Sequence, residues 1–195
     1  MTRLVLIAGA SGSGKSRLVR RSGLPCLRLD DFYADADEPG LPHTLGIVDW
    51  DDPASWHGAA AIEAIRSLLE TGTAEVPEYS IPLSRATGTH TAMLPAGAPV
   101  LLAEGIFAIE ALPLARAAGL DAQGIYLDRP RTVVAWWRFK RDLAQKRKSP
   151  WVLVRRGFVL WRAQPALKRK ALAAGFEALP TAVAARRLAA FGEPS

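Results

Sequence analysis

The sequence predicts an α/β domain of three layers, a parallel sheet of about five strands with helices on both faces. Three observations predict it. Short uninterrupted apolar runs recur along the chain, as strands buried on both faces require. Segments with helical spacing of apolar residues separate them. A Gly-rich turn joins the first apolar run to the first helical segment, the arrangement that gathers ligands at the carboxyl ends of parallel strands.

Taken in order, Arg3–Ala8 is the first buried strand, Lys15–Arg21 the helix after it and Cys26–Leu29 a short second strand. Asp35–Gly46, with Pro39-Gly40 and Pro42, reads as a loop. Pro53–Leu69 is expected as one helix. Pro53 suits a first turn, and Ile62, Ile65, Leu68 and Leu69 keep the helical period. Ala74–Ile81 and Thr89–Leu94 pair as a β-hairpin joined by Arg85–Gly88. Val100–Ala103 is a third buried strand followed by a helix at Ile109–Ala118, and Gly124–Leu127 is a fourth. Arg131–Lys146 and Trp151–Trp161 are expected as basic, tryptophan-bearing helices forming a lid over about 129–165. Phe176–Leu179 is a last short strand, and Thr181 caps a final helix to about Ala190.

The chain has 195 residues, 49% of them hydrophobic and 23% charged, which fits one folded domain over 1–195 and excludes a disordered chain. No apolar run approaches the roughly 18 residues of a membrane span. The apolar opening Leu4–Ala10 runs into Gly-Ser-Gly-Lys instead of a cleavage site, so the expected location is cytoplasmic. The lone Cys26 excludes an internal disulfide and reads as a small buried hydrophobe. With three scattered histidines it makes no zinc site. His43, His57 and His90 read as surface or capping residues, with His90 close enough to the hairpin turn to reach an acceptor. The net charge of +6 is sorted: residues 1–128 carry 9 Lys and Arg against 16 Asp and Glu, residues 129–195 carry 16 against 3.

At the end of the first strand stands Gly9-Ala10-Ser11-Gly12-Ser13-Gly14-Lys15-Ser16, a full match to G-x-x-x-x-G-K-[ST] in strand–loop–helix context. Its glycines let successive backbone N–H groups converge on phosphate oxygens at the positive end of a helix. Lys15 would reach the β- and γ-phosphates and the Ser16 hydroxyl would ligate Mg²⁺. The motif implies binding of a nucleoside triphosphate. Asp30 and Asp31 follow the second strand, and Glu104-Gly105 follows the third. A carboxylate there can hold Mg²⁺ or accept the proton of an attacking hydroxyl, while Asp31 reads as capping a turn. Gly105 suits a close backbone approach.

The phosphate loop, Asp-x-Phe-Tyr at Asp30–Tyr33, Glu104-Gly105-Ile106 and Arg-x-x-Arg-Asp at Arg138–Asp142 together resemble the uridine kinase family. Asp49-Trp50-Asp51-Asp52-Pro53 is similar to that family's Asn-Phe-Asp-His-Pro segment, and Pro77-Glu78-Tyr79 to its Pro-x-Tyr-Asp-Phe hairpin. The resemblance covers roughly residues 3 to 148. It implies a P-loop NTPase fold and transfer of the γ-phosphate of ATP, with Mg²⁺, to a nucleoside 5′-hydroxyl. It further implies that Asp30 is the base, Glu104 helps hold Mg²⁺, Asp51 takes the ribose hydroxyls and Tyr79 packs on the base. Arg138 and Arg141 would be lid cations beside the transferred phosphate. The hairpin departs from the family: Ser80-Ile81 replace Asp-Phe, and no histidine lies between Tyr79 and Arg85. His90 and Arg85 are the remaining candidates for an acceptor contact there.

The run Arg131–Lys148 holds seven Lys and Arg, with Arg138 and Arg141 on one helical face. Trp136 and Trp137 are adjacent, so they cannot both face one core strip. The interleaved aromatics and cations also suit single-stranded nucleic acid, but no recognition module accompanies them. Two alternatives stand beside the nucleoside reading. One is another small-molecule kinase on the same scaffold, phosphoribulokinase-like or pantothenate kinase-like. The other is a nucleotide-dependent nucleic-acid-binding protein. Asp30 separates them, because a nucleotide switch needs no acceptor-side base.

Overall fold

The computed structural model describes residues 2–44, 46–130, 132–134 and 164–192. Strand β1 (Arg3–Ala8) lies at the centre of a five-stranded sheet with β2 (Cys26–Arg28), β7 (Val100–Glu104), β8 (Ala122–Asp128) and β9 (Phe176–Pro180). The order is β2-β7-β1-β8-β9, and every pairing is parallel. Five of the six β1 residues are buried. Leu4, Leu6 and Ala8 join one apolar cluster, Val5 and Ile7 the other, so the strand's alternation feeds both faces of the sheet. Each such side chain contributes about 1.5–3 kcal/mol on burial.

Helices α2 (Gly58–Thr71) and α3 (Ala108–Ala117) cover the first face through Ile62, Ile65, Leu68 and Leu112. The helical stretch α4 (164–173) joins them through Ala171. The second face is covered by α1 (Lys15–Ser22), through Leu18 and Val19, and by α5 (Thr181–Gly192), through Ala184 and Leu188. The three layers and the five strands are those expected. Among the described residues no helix is long and apolar enough to cross a membrane.

Three local expectations are corrected. Residues 53–69 are not one helix. Asp52 accepts a 2.8 Å hydrogen bond from Ala54 N–H and caps a separate 3₁₀ turn, Pro53–Ser55. Trp56 then leaves the helical path to donate its indole N–H to Leu29 O at 2.9 Å and stack on Phe107 at 5.3 Å. Burial of the largest side chain in the segment outweighs helical continuity. The hairpin turns earlier than expected: β5 (Thr73–Ser80) and β6 (Arg85–Met93) are joined through Ile81–Ser84. Pro82 supplies a turn residue and Ser84 takes a positive φ of 49°. Arg85–Gly88 therefore lies in a strand. The loop after Tyr33 contains a small antiparallel pair, β3 (His43–Thr44) with β4 (Ile47–Val48). The expected lid helices, apart from helical residues 132–134, lie outside the described residues, as do Arg138 and Arg141.

Candidate active site

The phosphate loop leaves β1 at Gly9 and enters α1 at Lys15. Ser13 N–H donates to Ala10 O at 2.9 Å and closes the loop on itself. Gly14, at φ 94°, holds a backbone that side-chain-bearing residues rarely adopt, and it directs the first turn of α1. That turn has no side-chain cap and no acidic residue, so the positive end of the helix faces the loop uncompensated by a carboxylate of its own. Lys15 Nζ donates to Gly9 O at 2.7 Å, which brings its ammonium back over the loop.

Register places the carboxylates beside this loop. Glu104 is level with Ile7 of β1 on one side and Arg28 of β2 on the other. Asp30 lies in a 3₁₀ turn, Leu29–Phe32, directly after β2. Its Oδ1 accepts a 2.9 Å hydrogen bond from Ile106 N–H, which ties the end of β2 to the end of β7. Gly105 makes this approach possible. A Cβ there would lie 2.6 Å from Asp30 Oδ1 and 2.8 Å from Leu29 Cβ. Asp31 points elsewhere: it is buried, 3.4 Å from the Arg28 guanidinium. Burial, ahead of the opposing charge of Arg28, raises its carboxyl above the ordinary value. The neighbouring Cys26 thiol is pushed up to about 12 by burial and then by the charge of Glu104.

Beyond Asp30 the wall becomes aromatic. The Tyr33 ring lies 5.7 Å from Trp50, 5.6 Å from Tyr79 and 5.5 Å from Phe107. Its hydroxyl donates to Trp50 O at 3.2 Å, and that of Tyr79 to Ala34 O at 3.0 Å. Burial, then the charges of Asp30 and Asp51, push the Tyr33 hydroxyl well above its usual range. Asp51 is exposed in the turn before Pro53, and its charge reaches Tyr33. Arg85 pairs with Asp37 at 2.8 Å.

On the opposite flank of the loop a cavity of about 350 Å³ lies between α1 and α5, lined by Gly14, Arg17, Arg21, Arg129 and Thr181 among others. Arg129 is held by its Nε donating to Thr181 Oγ1 at 3.2 Å, and its carbonyl accepts from Gln164 Nε2 at 3.1 Å. Sequence reasoning missed this flank. The signal was present in position alone: Arg129 directly follows β8 and Thr181 directly follows β9, so both stand on the rim that carries the loop.

The loop Gly9–Ser16, Asp30 and Glu104 thus come together on one rim, with Tyr79 and Asp51 beyond Asp30. A parallel sheet in the order β2-β7-β1-β8-β9 with a phosphate loop after its central strand decides the architecture. The fold is the three-layer P-loop NTPase fold. Among solved structures, the chain is similar to a candidate fructose transport system kinase from Silicibacter sp. TM1040. That match has 19% identity and a TM-score of 0.57, over 92% of this chain and 90% of that one. It is also similar to the YGR205w protein, at 15% identity and a TM-score of 0.50 over 93% and 86%. A possible uridine kinase from Bacillus stearothermophilus matches at 21% identity and a TM-score of 0.47 over 69% and 75%. No family model matches the chain, and no curated protein matches it.

Proposed function

We propose that the chain is an ATP-dependent kinase that moves the γ-phosphate to a hydroxyl of a small molecule, with a ribonucleoside 5′-hydroxyl as the leading acceptor. The observation that carries this reading is the hydrogen bond from Ile106 N–H to Asp30, which fixes a carboxylate on the rim next to the phosphate loop. A protein that only binds or switches on a nucleotide has no use for that group. The chain's P-loop NTPase fold supports the same reading.

In this mechanism the loop N–H groups, the N-terminus of α1 and Lys15 hold the β- and γ-phosphates and spread their charge. Asp30 accepts the proton of the attacking hydroxyl, a role worth about 10²–10⁴ in rate. The Ile106 N–H orients that carboxylate, leaving Oδ2 toward the acceptor. The donor's nucleoside would lie in the cavity beside Gly14, against Arg129. Tyr79 and Asp51 would meet the acceptor, Asp51 through vicinal hydroxyls. Arg138 and Arg141 retain their proposed place as lid cations. Mg²⁺ fits the donor set. Nucleotide-bound Mg²⁺ takes one or two protein oxygens and fills its octahedron with phosphate and water. Ser16 and Glu104 supply such a pair, and among the described residues no group of three His, Cys, Asp or Glu stands ready for a metal. Held by Ser16 and Glu104, Mg²⁺ would supply positive charge to offset the charge that develops on the transferred phosphate.

The test is release of ADP with a panel of ribonucleosides, deoxyribonucleosides and sugars, for the native chain and Lys15→Ala. Lys15→Ala should abolish turnover and leave unfolding unchanged. Deoxyribonucleosides should be poorer than ribonucleosides by a few-fold, since Asp51 is exposed and a hydrogen bond to it is worth about 0.5–1.5 kcal/mol net. Equal turnover by Lys15→Ala would overturn the kinase reading. Equal rates for ribo- and deoxyribonucleosides would overturn the role of Asp51.

A further inference from the structure

Helices α4 and α5 both hold the step from Asp128 to Arg129, just past the end of β8. Parallel pairing sets Asp128 level with Pro180 of β9, so Arg129 and Thr181 are the next residues out on adjacent strands. Arg129 Nε donates to Thr181 Oγ1 at 3.2 Å. From the other side Gln164, only 8% exposed at the start of α4, donates its Nε2 to the Arg129 carbonyl at 3.1 Å. One turn further along α4, Lys168 Nζ meets Asp128 Oδ2 at 2.7 Å. One arginine and the residue before it are thus fixed by partners 35, 40 and 52 residues away in the chain.

With Nε engaged, the guanidinium presents its Nη edge. A Cβ placed on Gly14 would lie 3.7 Å from Arg129 Nη1, which puts that edge over the last glycine of the phosphate loop. The same side chain lines the cavity between α1 and α5. We propose that Thr181 and Gln164 are positioning residues for the donor nucleotide: they hold Arg129 at the loop end of that cavity, set to meet the nucleoside end of ATP. This rests on the kinase reading above and deepens its donor site.

A role in stability alone accounts for only part of this arrangement. The β8–β9 ladder and the Lys168–Asp128 pair already tie α4 and the two strands together. Neither requires the Arg129 side chain to be fixed, yet Thr181 fixes it. An arginine left to sample its rotamers would lose them on meeting ATP, and that entropy would weaken binding. Held beforehand, Arg129 brings its charge and its planar face to the site without the loss. A planar guanidinium stacks on a base and donates to ribose or phosphate oxygens, a combination that the compact ammonium of lysine does not offer.

The test is calorimetric binding of ATP and of inorganic tripolyphosphate, each with Mg²⁺, alongside thermal unfolding. Tripolyphosphate engages the loop and has no nucleoside. Thr181→Val removes the acceptor at nearly constant shape. It should weaken ATP about 10-fold, the worth of a hydrogen bond to a charged group, and change tripolyphosphate less than about 3-fold. Thr181→Ser should restore native ATP binding. Gln164→Met should act in the same direction as Thr181→Val, by about 3–10-fold. Arg129→Met should weaken ATP at least as much, and adding Thr181→Val to it should change nothing further. Lys168→Met is the control: it breaks a half-exposed tie in the same region without touching the arginine, and ATP binding should stay within about 2-fold. Equal weakening of ATP and tripolyphosphate by Thr181→Val would show a disturbed loop and overturn the inference. So would native ATP binding in both Thr181→Val and Gln164→Met, or full additivity with Arg129→Met. Each of these results leaves the kinase reading standing. No ATP binding by the native chain would overturn that reading and this inference with it.

Discussion

Replacing Gly105 by alanine tests the placement of Asp30 by steric means alone. Gly105 has no positive φ that would strain a side chain, so the added methyl acts only through what it touches. That methyl would lie 2.6 Å from Asp30 Oδ1, 2.8 Å from Leu29 Cβ and 3.3 Å from Asp30 N. Two of the three contacts are with backbone or Cβ atoms, which cannot swing aside as the end of a long side chain would. The turn carrying Asp30 must move, and the 2.9 Å bond from Ile106 N–H is lost or lengthened. Overpacking of this kind costs about 1–3 kcal/mol, which lowers Tm by about 2–10 °C in a chain of this size. The effect on rate should be larger, because about 1 Å of misplacement at a reacting group can cost about 10²-fold. We therefore expect kcat to fall about 10²-fold with little change in KM for ATP. Gly97→Ala is the control. At φ 74° with nothing within 4 Å, it should cost about 1–2 kcal/mol of backbone strain and leave kcat unchanged. Native kcat in folded Gly105→Ala would refute the assignment of Asp30 to the chemistry.

Other expectations concern the neighbouring groups. Asp30→Asn should lower kcat about 10²-fold or more and Asp31→Asn much less, measured by steady-state kinetics; the reverse ranking would give the base role to Asp31. Because the folded state raises the Asp31 carboxyl above its ordinary 3.8, its neutral form is favoured on folding. Its contribution is complete below that ordinary value and is lost as pH rises through the raised one. Denaturant unfolding at pH 3.5 and pH 7 should show Asp31→Asn gaining stability relative to the native chain at the higher pH. A thiol at about 12 is almost wholly protonated at pH 8, so Cys26 in the folded chain should alkylate with iodoacetamide about 10³-fold more slowly than in urea. Equal rates would show that the thiol is neither buried nor raised.

Much of the scaffold was legible because its signals are local. The apolar run at Arg3–Ala8, the spacing of the phosphate loop, and acids directly after apolar runs each specify a position without knowledge of the rest of the chain. The misses are residues whose behaviour depends on distant partners. Trp56 breaks the expected helix for a carbonyl 27 residues earlier. The ion pair of Arg85 with Asp37, 48 residues away, has no local signal in either segment. The Arg129–Thr181 pair spans 52 residues and has no motif to announce it. The hairpin turn was misplaced for a different reason: Gly88 suggested a turn, whereas Pro82 and the positive φ of Ser84 place it earlier.

The central strand of the sheet is also made well before either of the strands that flank it. Arg3 of β1 pairs with Val100 of β7, and Leu4 with Ala122 of β8, so neither flanking strand exists until roughly a hundred residues later. At about 5–20 residues per second, this run of five consecutive apolar residues waits several seconds or more on the ribosome without a partner on either edge. During that interval it has the composition of an aggregation-prone segment, apolar and uncharged over Leu4–Ala8. The contacts that shelter this strand in the finished sheet are therefore not the ones that can shelter it during synthesis.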